Sequence, residues 1–308
     1  MKAIMYHYVR SFNQKNPNFR FLDFNNFKSQ LDFFEQKYGF VKKEDWEDLV
    51  LSKNQNTLPK GVILTFDDAM ACHYQFVFPE LKKRNLWGIF FVPTAPYTNN
   101  LILDVHKIHI LLGRYDPMDL LEICQSIITE KKFEFEKKED YEKLTYKNHT
   151  HSEVTNHFKR ILNYFLTEEN KSSVIELISK ELNCDFSHEN YYVSVDQLKE
   201  MKNYDMVIGS HSHTHPLMSK LSKKKQMDEL NTSFNFLENE IGISYRTYCH
   251  PYGGFHSFNN ETLQLLEKIG VKYSFNVESK DISLKDLRLN SQMIPRYDCN
   301  EFLHGGIS

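Results

Sequence analysis

Two short segments carry side chains able to do chemistry together. Thr65-Phe66-Asp67-Asp68 places two adjacent carboxylates at the end of an apolar run. His211-Ser212-His213-Thr214-His215-Pro216 places imidazoles four residues apart, just after another apolar run. One carboxylate and two imidazoles make a three-ligand catalytic set of the kind zinc takes, with a coordination position left for water. The other carboxylate is then available as a base. Both segments also have ordinary structural readings. An aspartate behind a strand commonly caps the helix that follows, and a lone histidine is more often structural than a ligand. Three histidines within five residues, directly behind an expected strand, point instead to a metal. The four-residue spacing sets His211 and His215 on one side of a helical turn, while His213 points elsewhere and Pro216 helps fix the turn.

A third segment is Tyr248-Cys249-His250-Pro251-Tyr252-Gly253-Gly254. Its plain reading is a Pro-Gly turn after a strand. Its functional reading is a turn that brings a backbone N–H toward the site, as an oxyanion requires.

These segments need elements to hold them. Apolar or β-branched runs predict strands over 3–8, 62–66, 87–92, 206–209, 246–249, 272–276 and 292–294, with helical patterns over 27–38, 76–84, 224–241 and 260–269. Strands alternating with helices predict an α/β fold on parallel strands, and seven candidates suit a barrel-like arrangement. Polar chemistry follows the runs: His7 after the first, Asp67-Asp68 after the second, His211 after the fourth, Tyr252 after the fifth and Arg296 after the last. Barrel enzymes assemble their active sites at the C-terminal ends of their strands.

The stretch from about 101 to 190 interrupts the alternation. It is charged and helical in pattern, with a mixed-charge run over 131–140, and reads as a helical insertion within one domain of 308 residues, a lid or an oligomer contact. Leu103-Asp104-Val105-His106-x-x-His109 looks like a metal patch, but its spacing fits the start of a helix in that insertion.

Hydrophobic residues at 41% and aromatics at 14% supply a substantial core. A net charge of -3 lacks the basic excess of a general nucleic-acid binder. The five cysteines are scattered, odd in number and without a C-x-x-C pair, which suits free thiols in a reducing compartment. No apolar run approaches a membrane span, and the opening Met1-Lys2-Ala3-Ile4-Met5-Tyr6-His7 has no long apolar region or cleavage site. The expectation is a cytoplasmic protein.

In this order, Thr65-Phe66-Asp67-Asp68, His211-Ser212-x-x-His215 and Pro251-Tyr252-Gly253 resemble the motifs of the NodB-homology polysaccharide deacetylases, carbohydrate esterase family 4. Met5-Tyr6-His7 and Ile294-Pro295-Arg296 resemble one branch of that family. The resemblance covers the strands and their flanks, not the insertion. It implies a distorted (β/α)7 barrel and a divalent metal, commonly zinc, with cobalt or nickel as alternatives. It implies Asp68, His211 and His215 as metal ligands, Asp67 as general base and the Tyr252 N–H as oxyanion donor.

The chain departs from the pattern in three places. Cys249 stands where the family often has an arginine, so Arg246 or Arg296 must supply it, and Arg296 is preferred because it too follows a strand. The Asp-Trp fourth motif is not visible, since the tryptophans are Trp46 and Trp87. The histidine acid of the fifth motif is matched nearest by Leu303-His304, with His7, His106, His109 and His250 as rivals. The implied function is metal-dependent N-deacetylation of an acetylated amino sugar in a glycan or in an intracellular glycan precursor. Hydrolysis of another C–N amide bond, or a catalytically inactive carbohydrate-binding protein, remain open beside it, as does the oligomeric state.

Overall fold

Seven parallel strands form the main sheet: β1 (Lys2–Tyr6), β2 (Val62–Asp67), β3 (Ile89–Val92), β4 (Val207–Ser210), β5 (Thr247–Cys249), β6 (Tyr273–Phe275) and β7 (Tyr297–Asp298). Their spatial order is β6-β5-β4-β3-β2-β1-β7. The computed structural model describes residues 1–52, 57–133, 141–143, 145, 152–186 and 190–307. A parallel sheet is covered on both faces, which is why its strands read as continuous apolar runs.

The period of two along each strand sorts the side chains. Ile4, Tyr6, Val62, Leu64, Phe66, Phe90, Val92 and Ile208 pack in one cluster with Phe27, Leu31 and Phe34 of the helix Phe24–Lys37. Ala3, Ile63, Ile89, Phe91, Val207, Cys249, Tyr273 and Phe275 pack in the other, with Trp46. The second face lies inside the curl of the sheet. Backbone bonds continue past β6: Ile294 N donates to Ser274 O at 2.8 Å, Asn276 N to Ile294 O at 3.0 Å and Glu278 N to Arg296 O at 3.1 Å. The chain then reaches β1, where Tyr297 pairs with Ile4 and Asp298 with Met5. One segment thus joins both ends of the sheet and curls it toward a barrel, the α/β architecture expected.

The last strand is displaced from its predicted position. Ile294 makes only a single bridge to Phe275, and regular pairing starts at Tyr297. Pro295 between them has no N–H to give a ladder. Helix starts are specified locally: Asp23 caps the helix Phe24–Lys37, and Ser194, Asn259 and Ser283 form capping boxes.

The chain divides into two compact units: Met1–Ser11, Phe21–Asn100 and Asn190–Ser308 form the first, with the sheet, and Phe12–Arg20 and Leu101–Glu189 the second. The second is helical. Pro117–Lys131 packs against Glu153–Arg160 and Glu168–Glu181, and Asp104–Arg114 packs on Glu168–Glu181. Asp116, Ser152 and Thr167 cap three of these helices through their side chains. Residues 134–140 of the mixed-charge run lie outside the described residues. Among the described residues, no helix is long and apolar enough to cross a membrane, and all five cysteines are free thiols.

Candidate metal centre and its carboxylate pair

Asp67 has the strand parity of Ile63 and faces the interior of the curl at the end of β2. It meets Arg296 there. The guanidinium grips the carboxylate with both ends, Nη1 to Oδ1 and Nη2 to Oδ2, each at 2.8 Å. Arg296 also donates to Thr65 Oγ1 at 3.0 Å, Asn276 O at 3.2 Å and Cys249 Sγ at 2.9 Å. A fully buried ion pair is tolerated when its remaining donors are bonded in this way. Burial pushes the Asp67 carboxyl up, but the charge and hydrogen bonds of Arg296 outweigh it, with His211 and His7 adding, and hold it at about 2. Asp67 is therefore ionised at neutral pH.

Adjacent residues in a strand point to opposite faces, so two neighbouring aspartates share a site only if the backbone turns between them. The strand ends at Asp67, and Asp68 adopts a left-handed backbone, φ 78°. Asp68 Oδ1 then lies 3.5 Å from His211 Nε2 and 3.5 Å from His215 Nε2, all three residues being buried. Their ligand atoms form one group within 4.8 Å of one another. His211 Nδ1 is 2.9 Å from Cys249 O. A carbonyl only accepts, so Nδ1 carries the proton and Nε2 presents a lone pair. Burial lowers the pKa of His211 and keeps it neutral. A carboxylate oxygen and an imidazole lone pair facing each other in a buried site repel unless a cation lies between them. In a tetrahedral centre with ligand bonds of about 2.0–2.1 Å, neighbouring donor atoms sit about 3.4 Å apart. The donor set fits a small divalent cation. Asp67, His211 and Cys249 also converge, but there the Arg296 guanidinium already bonds both Asp67 and Cys249.

The two histidines are not on a helical turn. Residues 211–216 form an irregular loop with Ser212 and His215 left-handed, φ 63° and 61°. Hydrogen bonds hold it: Ser212 N to Ser210 Oγ, His215 N to Ser212 Oγ, and His211 N to Val92 O. Glu229, on the helix Lys223–Phe236, accepts from His213 N, Thr214 N and the Thr214 hydroxyl. Sequence reasoning missed Glu229, and its one available signal is an acidic side chain on the helix that follows the motif. His213 turns away, its Nδ1 2.9 Å from Thr94 Oγ1.

Tyr252 sits at φ 62° in the turn after β5, its ring 5.0 Å from that of His215. Asp68, Ala69, Ser212, His215 and Tyr252 thus all hold left-handed backbone within or beside the three motifs. Such strain concentrates at functional sites.

The remaining candidates separate. His7, at the end of β1, places Nε2 4.0 Å from Asp68 Oδ2 with its side chain 39% exposed. His304 lies exposed in a left-handed turn whose preceding carbonyl, Leu303 O, is bonded by Gln30 of the outer helix Phe24–Lys37. His250 is buried, stacked 3.9 Å from the Phe258 ring and bonded to Gln292 O, and burial lowers its pKa to about 3. His106 and His109 lie on the helix Asp104–Arg114 of the second unit. Arg246 pairs with Glu238 and bonds Ile269 O, so of the two candidate arginines only Arg296 reaches Asp67. Trp46 is buried in the core and Trp87 bonds Val41 O.

The profile of a family described as polysaccharide deacetylase matches residues 54–274. A stretch of 113 residues is 30% identical to a poly-beta-1,6-N-acetyl-D-glucosamine N-deacetylase of Staphylococcus aureus strain MRSA252, covering 34% of this chain and 37% of that protein. The protein of the same name from strain MSSA476 is 32% identical over 115 residues, with shares of 34% and 37%. The match thus spans little more than a third of these relatives' length. Among solved structures, the Streptococcus pyogenes deacetylase PplD in complex with acetate aligns with a TM-score of 0.58 at 18% identity, over 97% of this chain and 91% of that one. A de-N-acetylase from Aggregatibacter actinomycetemcomitans aligns with a TM-score of 0.53 at 15% identity, over 96% and 93%. At such identities the likeness is one of fold.

Proposed function

We propose that this chain, which belongs to the polysaccharide deacetylase family, is a metal-dependent hydrolase that removes the N-acetyl group from an acetylated amino sugar of a glycan or glycan precursor. The observation that carries this reading is the convergence of Asp68, His211 and His215 beside a second, ionised carboxylate, Asp67. The names of the Staphylococcus aureus relatives support the N-acetyl amide as the bond cleaved.

Asp68, His211 and His215 would hold a divalent cation, which would supply Lewis acidity toward the acetyl carbonyl and the attacking water. We take zinc as the ion, from the imidazole and carboxylate donors. Asp67 accepts the water's proton as the oxygen adds to the acyl carbon. Arg296 keeps Asp67 ionised and aimed. The Tyr252 turn directs a backbone donor at the developing oxyanion. The C–N bond then breaks with its electron pair on nitrogen, and His7 supplies the proton that makes it an amine. The products are acetate and a free amino sugar, and the proton on Asp67 returns to solvent or to His7. His7 takes the donor's role because its Nε2 lies 4.0 Å from Asp68 Oδ2 on a side chain that is 39% exposed and so able to exchange protons with solvent. Cytoplasmic placement rests on the five free thiols, and cell fractionation tests it.

The test of function is acetate release from N-acetylglucosamine oligomers, with metal content measured by elemental analysis. Asp67→Asn should lose about 10²-fold or more in kcat while keeping its metal. His211→Ala should lose both. A metal-loaded wild type that releases no acetate from any acetylated sugar would sink the reading.

A further inference from the structure

The residue after His7 and a residue far along the chain share a hydrogen bond that the steps above leave unused. The hydroxyls of Tyr8 and Tyr191 are 2.7 Å apart, and their rings meet edge to face at 6.3 Å. Burial, then Tyr191 and the Asp68 charge, push the Tyr8 hydroxyl well above its ordinary pKa. One O–H donates to the other.

The two tyrosines belong to stretches that flank the site. Tyr8 follows His7 directly, past the last residue of β1. Tyr191 lies in a strap that runs antiparallel beside the residues following Asp68. Ala71 N donates to Tyr191 O and Val193 N to Ala69 O, each at 2.8 Å, and Met70 bridges Tyr192. The strap is thereby fastened to the strained turn at Asp68 and Ala69. The His7 side chain is 39% exposed; past the end of the β1–β2 pairing at Tyr6 and Phe66, its backbone carbonyl is bonded by His73 Nε2 at 2.5 Å, but among the described residues no such bond fixes the ring. A proton donor to a leaving nitrogen must nevertheless be placed within a fraction of an ångström.

We propose that Tyr8 and Tyr191 are positioning residues: their hydroxyl bond clamps the end of β1 to the Asp67-Asp68 loop and so sets where His7 presents its proton to the leaving nitrogen. This rests on the donor role assigned to His7 above. The clamp serves protonation of the leaving group and no other step, which separates it from a role in metal binding or folding.

The test compares two substrates on the metal-loaded enzyme. An N-acetylglucosamine oligomer has an amide nitrogen that leaves only when protonated, while 4-nitrophenyl acetate has a phenolate that leaves without a proton. Tyr8→Phe and Tyr191→Phe keep the rings and remove one hydroxyl each. Each should lower kcat on the oligomer about tenfold or more, with KM, metal content and melting temperature unchanged. Ester turnover should stay within about twofold of wild type. The double variant should be no worse than either single one, because the clamp is one bond. An active wild type whose variants lose both activities equally, or neither, overturns the clamp alone. A wild type that cleaves the ester but no acetylated sugar overturns the deacetylase reading and the clamp with it.

Discussion

Asp67 is buried against a guanidinium, and that pairing decides how substitutions there behave. Arg296→Met leaves a carboxylate buried without its counter-charge, and breaking such a pair costs about 3–5 kcal/mol. Urea denaturation at neutral pH should show that loss. The pH dependence has a defined sign. The folded carboxyl sits at about 2, below its ordinary 3.8, so the stabilisation is fully present above about pH 5 and is lost as pH falls through the folded value. The loss is on the order of 2 kcal/mol. Repeating the urea titration between pH 5 and pH 2 should reveal it in the wild type and not in Arg296→Met. At this scale much was legible. An Asp-Asp pair and an H-x-x-x-H spacing announce a donor set through residue type alone. The source of the guanidinium was legible only as a choice between Arg246 and Arg296, because it reaches Asp67 from 229 positions away in sequence.

Loops set the orientation of those side chains. Glu229 ties down two backbone N–H groups and one hydroxyl of residues 213–214. Glu229→Gln should weaken metal affinity about tenfold or more, by analogy with partners that orient ligands from behind, and competitive chelator titration measures it. Gly253 holds φ +69°, and an added Cβ would lie 2.3 Å from Val277 Cγ2. Gly253→Ala should therefore cost about 1–2 kcal/mol from the backbone alone and shift the Tyr252 turn. Melting temperature and kcat should fall together. The helical turn expected for His211 and His215 is instead a loop with two left-handed residues. A four-residue spacing is compatible with either geometry, and the serines that fold the loop carry no periodic signal. The seventh strand moved for a comparable reason, since Pro295 interrupts the pairing and no apolar pattern marks Tyr297-Asp298.

The donors of the proposed centre sit just past the ends of β2 and β4, strands held by sheet pairing and by apolar packing on both faces. Chelation should leave the circular-dichroism spectrum intact while abolishing acetate release. It should also lower the melting temperature, since an ion at a thousand times its Kd contributes about 4 kcal/mol. Reductant should leave the melting temperature unchanged, the five thiols being free. Fold class and the identity of the donor atoms could be read from the chain because apolar periodicity and residue type are local properties. Which histidine stands beside the carboxylates could not. By motif likeness His304 is the nearest match and His7 a rival, whereas it is His7 whose ring lies 4.0 Å from Asp68, where β1 runs beside β2. Proximity between strand ends depends on register and strand order, and these emerge only when the whole sheet has assembled.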